Sequence, residues 1–320
     1  MEKKGVIGIG LNLFDARAII LNEKEEIVDK VEKKYEVTAH KTIEVILDLF
    51  EKINAKASKH RVSIKGLGIA LGGVVDKRRG LVYWPQRVDS SCVYISVPLK
   101  KYIEEKFKLP VIIENDANAC VWAEYVKKFN DYRNIIYMFS GVGCGIILEG
   151  NLYHGRDGAA GELFVNVRKN MSSSLGDFYF LSPWPLDLGI VKKAKELIAL
   201  GENTILLKKI SSTGDLSFEE VLTQAKKDDR LAKNIVKEAA FSLGVKISFL
   251  INFINPDLVI VGGGLEEAGE FFLEEVNSAI KEFTFNEMRK GLKIVFPHLG
   301  RDAASLGAGL LILKENSLLV

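Results

Sequence analysis

The feature that most constrains this chain is an alternation of short apolar runs with longer segments whose apolar residues recur at helical spacing, and it occurs twice. The first pass opens with Val6 to Leu11 and Ala16 to Leu21, separated by the turn-favouring side chains Asn12 and Asp15. Residues 25–35 alternate polar and apolar, which predicts a third antiparallel strand. Ile43, Ile46, Leu47, Phe50 and Ile53 place a helix over 41–57. Ile64 to Leu71 reads as a buried strand, 97–108 as a helix, Val111 to Glu114 as a strand and Ala117 to Lys128 as a helix. The second pass begins with strands at Asn134 to Phe139 and Gly145 to Leu148 and a hairpin turn at Gly150-Asn151. Helices follow at 186–200 and 217–226, then a long one at 229–254 striped by Leu231, Ile235, Ala239, Leu243, Ile247, Leu250 and Ile254. A strand at Asp257 to Val261, a helix at 266–283, a strand at 292–296 and a helix from 302 complete the chain. Two mixed α/β domains are the expectation. Between the passes, 166–183 carries Ser172-Ser173-Ser174 and Gly176 and predicts a long loop.

Composition narrows the function classes. A length of 320 residues suits two domains, and 48% hydrophobic with 27% charged residues excludes disorder. The 44 Lys plus Arg are interleaved with 42 Asp plus Glu for a net charge of +2, which speaks against nucleic-acid binding as the main activity. No apolar run reaches the roughly 18 residues of a membrane span, and the start does not read as a signal peptide. Cys92, Cys120 and Cys144 are scattered and odd in number, which fits a reducing cytoplasm.

Several short segments can carry chemistry, each with a plainer alternative. In Glu114-Asn115-Asp116-Ala117-Asn118, Asp116 either caps the following helix or faces a ligand at the C-terminal end of a sheet. Ser140-Gly141-Val142-Gly143-Cys144-Gly145 is either a tight turn or a backbone cradle for an anion, and it lacks the lysine of a P-loop. Gly262-Gly263-Gly264 suits a nucleotide near a helix start, or glycine required by sterics. Gly158-Ala159-Ala160-Gly161-Glu162 and Gly72-Gly73-Val74-Val75-Asp76 carry the same ambiguity. His40, His60, His154 and His298 read as non-catalytic.

The order of these motifs, together with Asn255 to Gly264 and Ala304 to Gly309, resembles the ROK family of repressors, open reading frames and sugar kinases along nearly the whole chain. The resemblance implies an actin/hexokinase-type, ribonuclease H-like α/β fold of two domains around a central cleft. Those domains are expected at 1–118 plus 302–320 and at 119–301. It implies Asp116 as general base toward a sugar hydroxyl, with Asn115, Asp116 and Glu162 on the sugar and Gly72 and Gly73 lending main chain. Gly10, Asn12, Ser140, Gly141 and Gly143 would meet the phosphates of ATP, and Gly262, Gly263 and Gly264 the adenosine. A cytoplasmic homodimer is also implied.

The departures matter as much. Kinases of the family open with Asp-x-Gly-Gly-Thr, whose Asp helps hold Mg²⁺; the matching stretch here is Gly8-Ile9-Gly10-Leu11-Asn12. Val165 stands where a zinc- and sugar-binding His is expected, and no cysteine cluster follows between Asn166 and Leu186, so zinc is not expected. The first motif begins within ten residues of Met1, which leaves no room for the repressors' helix-turn-helix. Two readings follow: an ATP-dependent kinase of a hexose-like sugar, or a catalytically impaired sugar-binding regulator.

Overall fold

A computed structural model describes residues 3–12, 15–34, 39–88, 91–141, 143–163, 186–213 and 215–317. The predicted loop at 166–183, the Val165 position and all but the last residue of the cysteine-free segment from Asn166 to Leu186 lie outside them. The chain divides into two units, one within Met1–Arg133, Cys144–Glu162 and His298–Val320, the other within Asn134–Gly143 and Leu163–Pro297.

The first unit begins with an antiparallel meander of β1 (Lys3–Leu11), β2 (Ala16–Asn22) and β3 (Ile27–Lys33), followed by α1 (Ala39–Lys59) and β4 (Val62–Leu71). A small antiparallel sheet comes next, from β5 (Val74–Asp76), β6 (Leu81–Val88) and β7 (Ser91–Val97). Sequence periodicity does not predict this sheet. β5 is too short to show a pattern, and Pro85 inside β6 argues against a strand although the ladder seats it opposite Tyr94. Helix α2 (Leu99–Phe107) leads to β8 (Val111–Asn115), which closes the main sheet in the order β3-β2-β1-β4-β8, parallel across β1–β4 and β4–β8. Helix α3 (Asp116–Glu124) starts where β8 ends and passes into a π-helical turn at Tyr125–Phe129, so the helix expected to Lys128 loses α geometry after Glu124.

The chain then lays down β9 (Ile135–Phe139) in the second unit and the hairpin β10 (Gly143–Leu148) and β11 (Asn151–Leu152). The turn falls on Glu149-Gly150, one residue earlier than predicted. Both residues have positive φ, 51° and 78°, as a tight hairpin requires, and Asn151 pairs with Leu148.

In the second unit α4 (Leu186–Ala199), α5 (Leu206–Thr213), α6 (Phe218–Lys226) and α7 (Arg230–Ile254) precede β12 (Leu258–Gly262), which runs parallel to β9. Ser217 and Glu220 form a capping box that starts α6, and Asp229 caps α7. The α7 stripe buries Leu231, Ile235, Leu243, Ile247 and Leu250, with Ala239 and Ile254 half-buried. The helix expected at 266–283 divides at Gly269, whose φ is 90°, into a 3₁₀ turn at Leu265–Ala268 and α8 (Glu270–Phe283). Helix α9 (Asn286–Arg289) and β13 (Lys293–Val295), parallel to β12, complete this unit. Among the described residues no helix is long and apolar enough to cross a membrane.

Helix α10 (Ala303–Ser317) belongs to the first unit. Alternation along β1 turns Ile7, Ile9 and Leu11 toward α1, where they join Ile46, Leu49, Phe50, Ile53, Leu67 and Ile69 in one core. The opposite face carries Gly8 and Gly10, and α10 lies directly on it. A Cβ at Gly8 would collide with main chain of Ser305 and Gly309, and one at Gly10 with main chain of Ala304 and Ser305.

Candidate functional site

The C-terminal end of β8 carries Asn115 and Asp116, at the edge where parallel sheets receive ligands. Asn115 is extended, with φ −65° and ψ 144°, and its side-chain oxygen accepts N–H groups from Ala117 at 2.9 Å and Asn118 at 3.2 Å. The cap of α3 is therefore Asn115, not Asp116. The Asn115 amide also donates to the Gly73 carbonyl at 3.1 Å, which ties the Gly72-Gly73 bend to the start of the helix. Asp116 becomes the first helical residue, and its carboxylate accepts from the Ala117 N–H at 2.8 Å. Gly72 lies beside it: a Cβ there would stand 3.4 Å from Asp116 Oδ2, in ordinary contact.

Burial pushes the Asp116 carboxyl up to about 6, against the pull of the Ala117 N–H. Glu162 keeps an open surface, yet desolvation first and the Asp116 charge second push its carboxyl up to about 7. Once Asp116 has ionised, its charge adds to the burial that disfavours ionisation of Glu162. A function that needs Asp116 as a proton acceptor is lost on acidification and gained as pH rises through 6 to 7. Any activity at this site is expected to climb between pH 5 and 8 with apparent midpoints near those values; a flat profile in that window would exclude the role.

Glu114, only 1% exposed, anchors this region. Its Oε1 accepts the Asn115 N–H at 3.0 Å and the Asn118 amide at 3.0 Å, while Oε2 lies 2.9 Å from Lys77 Nζ and 2.8 Å from His154 Nε2. Burial would raise this carboxyl, but the His154 hydrogen bond and the Lys77 charge hold it at about 2. Lys77 and His154 carry no signal in the sequence, since they stand 37 and 40 positions from Glu114.

In the second unit the expected nucleotide residues gather at the ends of β9 and β12. Ser140, with φ 48°, donates its N–H to the Gly262 carbonyl at 3.4 Å, and Gly263 packs against Phe139 and the Ser140 main chain. The Gly264 N–H is spent on Glu266 at 2.9 Å. Lys246, 5% exposed on α7, donates to the Gly141 carbonyl and so brings a cation to that residue. The sequence pattern missed it, because it sits beside the apolar stripe of α7.

Gly10 and Asn12 fare differently. Gly10 is covered by α10. The Asn12 amide donates to Asp15 at 2.9 Å and to the Arg301 carbonyl at 2.9 Å. Arg17 bridges Asp15 at 2.9 Å and Asp302 at 2.6 Å, closing an internal network around this turn. Thus Gly72, Gly73, Asn115, Asp116 and Glu162 come together in the first unit and Ser140, Gly141 and Gly262 to Gly264 in the second, while Gly10 packs under α10 and the Asn12 amide is hydrogen-bonded to Asp15 and Arg301.

Comparison with known proteins adds the following. The model of the ROK family matches residues 6–165 and 189–315. A glucokinase of Halalkalibacterium halodurans is 28% identical over 99% of this chain and 98% of its own length. A xylose repressor of Caldicellulosiruptor bescii is 26% identical over 97% of this chain and 78% of the repressor. Among solved structures, a ROK family glucokinase from Streptomyces griseus in complex with glucose and AMPPNP superposes with a TM-score of 0.72 at 24% identity, covering 96% of this chain and 98% of that one. A ROK family transcriptional regulator gives 0.74 at 21% identity, over 99% and 80%.

Proposed function

The chain belongs to the ROK family and has its actin/hexokinase-type α/β fold, and from that premise we propose that it is an ATP-dependent kinase of a hexose-like sugar. The observation that carries the reading is the Asp116 carboxyl, desolvated at the end of β8 beside Gly72, with Glu162 near enough to feel its charge. In this reading the sugar lies against Asn115, Asp116, Glu162 and the Gly72-Gly73 main chain. Asp116 takes the proton of the attacking hydroxyl as its oxygen bonds to the γ-phosphorus and the bond to ADP breaks. An alcohol is a weak nucleophile, and a placed base is worth about 10²–10⁴ in rate. Ser140, Gly141 and Gly143, with Lys246 bonded to the Gly141 carbonyl, would receive phosphates, and Gly262 to Gly264 would border the adenosine.

Mg²⁺ ordinarily accompanies ATP in such reactions. The β1 residues do not fit it, because Gly8 and Gly10 offer no side-chain donor and α10 main chain fills the space above them.

That same filling favours a second reading, a sugar-binding regulator with little turnover. Similarity to both glucokinases and xylose repressors is compatible with either. One screen separates them: a panel of hexoses and pentoses, including glucose and xylose, read by melting shift and by ADP release together. Sugar-stimulated ADP release is the expected result. A stabilising sugar with ADP release at background supports the regulator instead.

A further inference from the structure

The Glu114 network lies outside the groups proposed to touch sugar, and it is chemically complete. Its four donors fill the four acceptor positions of a carboxylate. Glu114 therefore has no capacity left for a sugar hydroxyl. What it has is reach. The donors come from the start of α3, from the turn between β5 and β6 through Lys77, and from the segment after β11 through His154. His154 Nε2 lies 2.8 Å from Glu114 Oε2 and 3.2 Å from Lys77 Nζ, and a hydrogen bond to a carboxylate, which only accepts, needs the proton on Nε2.

The segment beyond His154 is itself firmly folded. The His154 carbonyl accepts the N–H groups of Gly158 at 3.1 Å and Ala160 at 3.2 Å, and the Gly161 carbonyl accepts from Cys144 at 2.9 Å. Gly158 sits against the Val75 carbonyl and Gly161 against the Cys144 carbonyl too closely for any side chain. Glu162 ends this segment. The His154 imidazole thus links the segment that ends in Glu162 to the carboxylate that also holds the Asp116 helix start, beside the Cys144 bond to Gly161.

We propose that Glu114 and His154 are positioning residues that set the Asp116–Glu162 carboxylate pair, with the His154 Nε2–H as the adjustable link. The proposal rests on the sugar-site reading for its functional consequence, and its structural half stands on the segment contacts alone. His154→Phe fills the ring volume without the donor, and His154→Gln returns an N–H at similar reach.

The test measures affinity for the sugar giving the largest melting shift in the panel, affinity for ADP, and amide hydrogen exchange. His154→Phe is expected to weaken sugar at least tenfold with ADP affinity unchanged, and His154→Gln to recover most of the loss. Exchange should quicken together in 115–118 and 153–162 in the Phe variant and stay constant in the second unit. Wild-type sugar affinity in His154→Phe, an equal loss of sugar and ADP, or no rescue by Gln would each overturn the proposal. So would unaltered exchange, which decides the coupling even where the wild-type protein binds no sugar and the sugar reading itself falls.

Discussion

Asp116→Asn is expected to reduce sugar-dependent ADP release by at least about 10²–10⁴ and, at the same time, to make the protein more heat-stable at neutral pH. The first effect follows from the proposed role, since an amide cannot accept the hydroxyl proton. The second follows from linkage. The folded-state carboxyl stands at about 6 against an ordinary 3.8, so the folded protein holds this proton where the unfolded chain has released it. The stability tied to that proton is present in full below about 3.8 and is lost as pH rises through 6. At pH 7.5 the ionised, desolvated group costs the fold on the order of 1–3 kcal/mol. Asparagine keeps an acceptor for the Ala117 N–H and removes the charge, at the sacrifice of a favourable helix-dipole contact worth about 0.3–1 kcal/mol. The melting midpoint should therefore rise by a few degrees at pH 7.5, with the gain vanishing near pH 4. Unchanged turnover would remove Asp116 from the chemistry; a lower midpoint at pH 7.5 would show that its charge is stabilising after all. Loss of rate joined to a gain of stability is the signature of a strained functional group, which a damaged core does not produce.

The sequence discloses some of this site and conceals the rest for identifiable reasons. The strand-to-helix handover at Asp116 is legible because the continuous apolar run Val111 to Ile113 is soon followed by two capping-type residues, Asn115 and Asp116, and then by an alanine-rich stretch. The cap is harder to read. Asn115 and Asp116 are both good capping residues, and only the extension of β8 through Asn115 decides that the former caps and the latter becomes the first helical residue. Lys77 and His154 are invisible from the sequence because their common partner, Glu114, lies far along the chain and no local pattern records a contact made by folding. Lys246 is hidden differently, in a helix whose neighbours Leu243, Ile247 and Leu250 all read as core. In the fold, long amphipathic elements such as α1 and α7 announce themselves, whereas the sheet of β5, β6 and β7 is held by pairing that a three-residue strand and an internal proline do not betray.

Gly8→Asp tests the fate of the first phosphate motif. The substitution restores the carboxylate that the family's kinases carry, and a reading from sequence alone would expect it to improve catalysis. The structure leads to the opposite expectation. Gly8 lies in β1, between β2 and β4, with main chain of Ser305 and Gly309 pressed on its open face. A new Cβ must displace α10, which also packs on β4 and α3. Overpacking of this kind costs about 1–3 kcal/mol, and a carboxylate buried without a partner adds several more. A total near 4 kcal/mol or above would consume much of the roughly 5–15 kcal/mol by which a domain is stable. The expected outcome is an insoluble or extensively destabilised protein, read as a fall in urea midpoint, with no gain in ADP release. Gly189→Ala is the matched control: no atom lies within 4 Å of a Cβ built there, inside α4, so it should be neutral or stabilising by about 0.5–1 kcal/mol. Should Gly8→Asp instead fold with a wild-type midpoint, α10 does not rest on β1 as closely as the geometry requires. Should it also raise ADP release with Mg²⁺, the space above β1 is open to a metal-bound phosphate, and the reading of this protein as a sugar-binding regulator loses the observation that favours it.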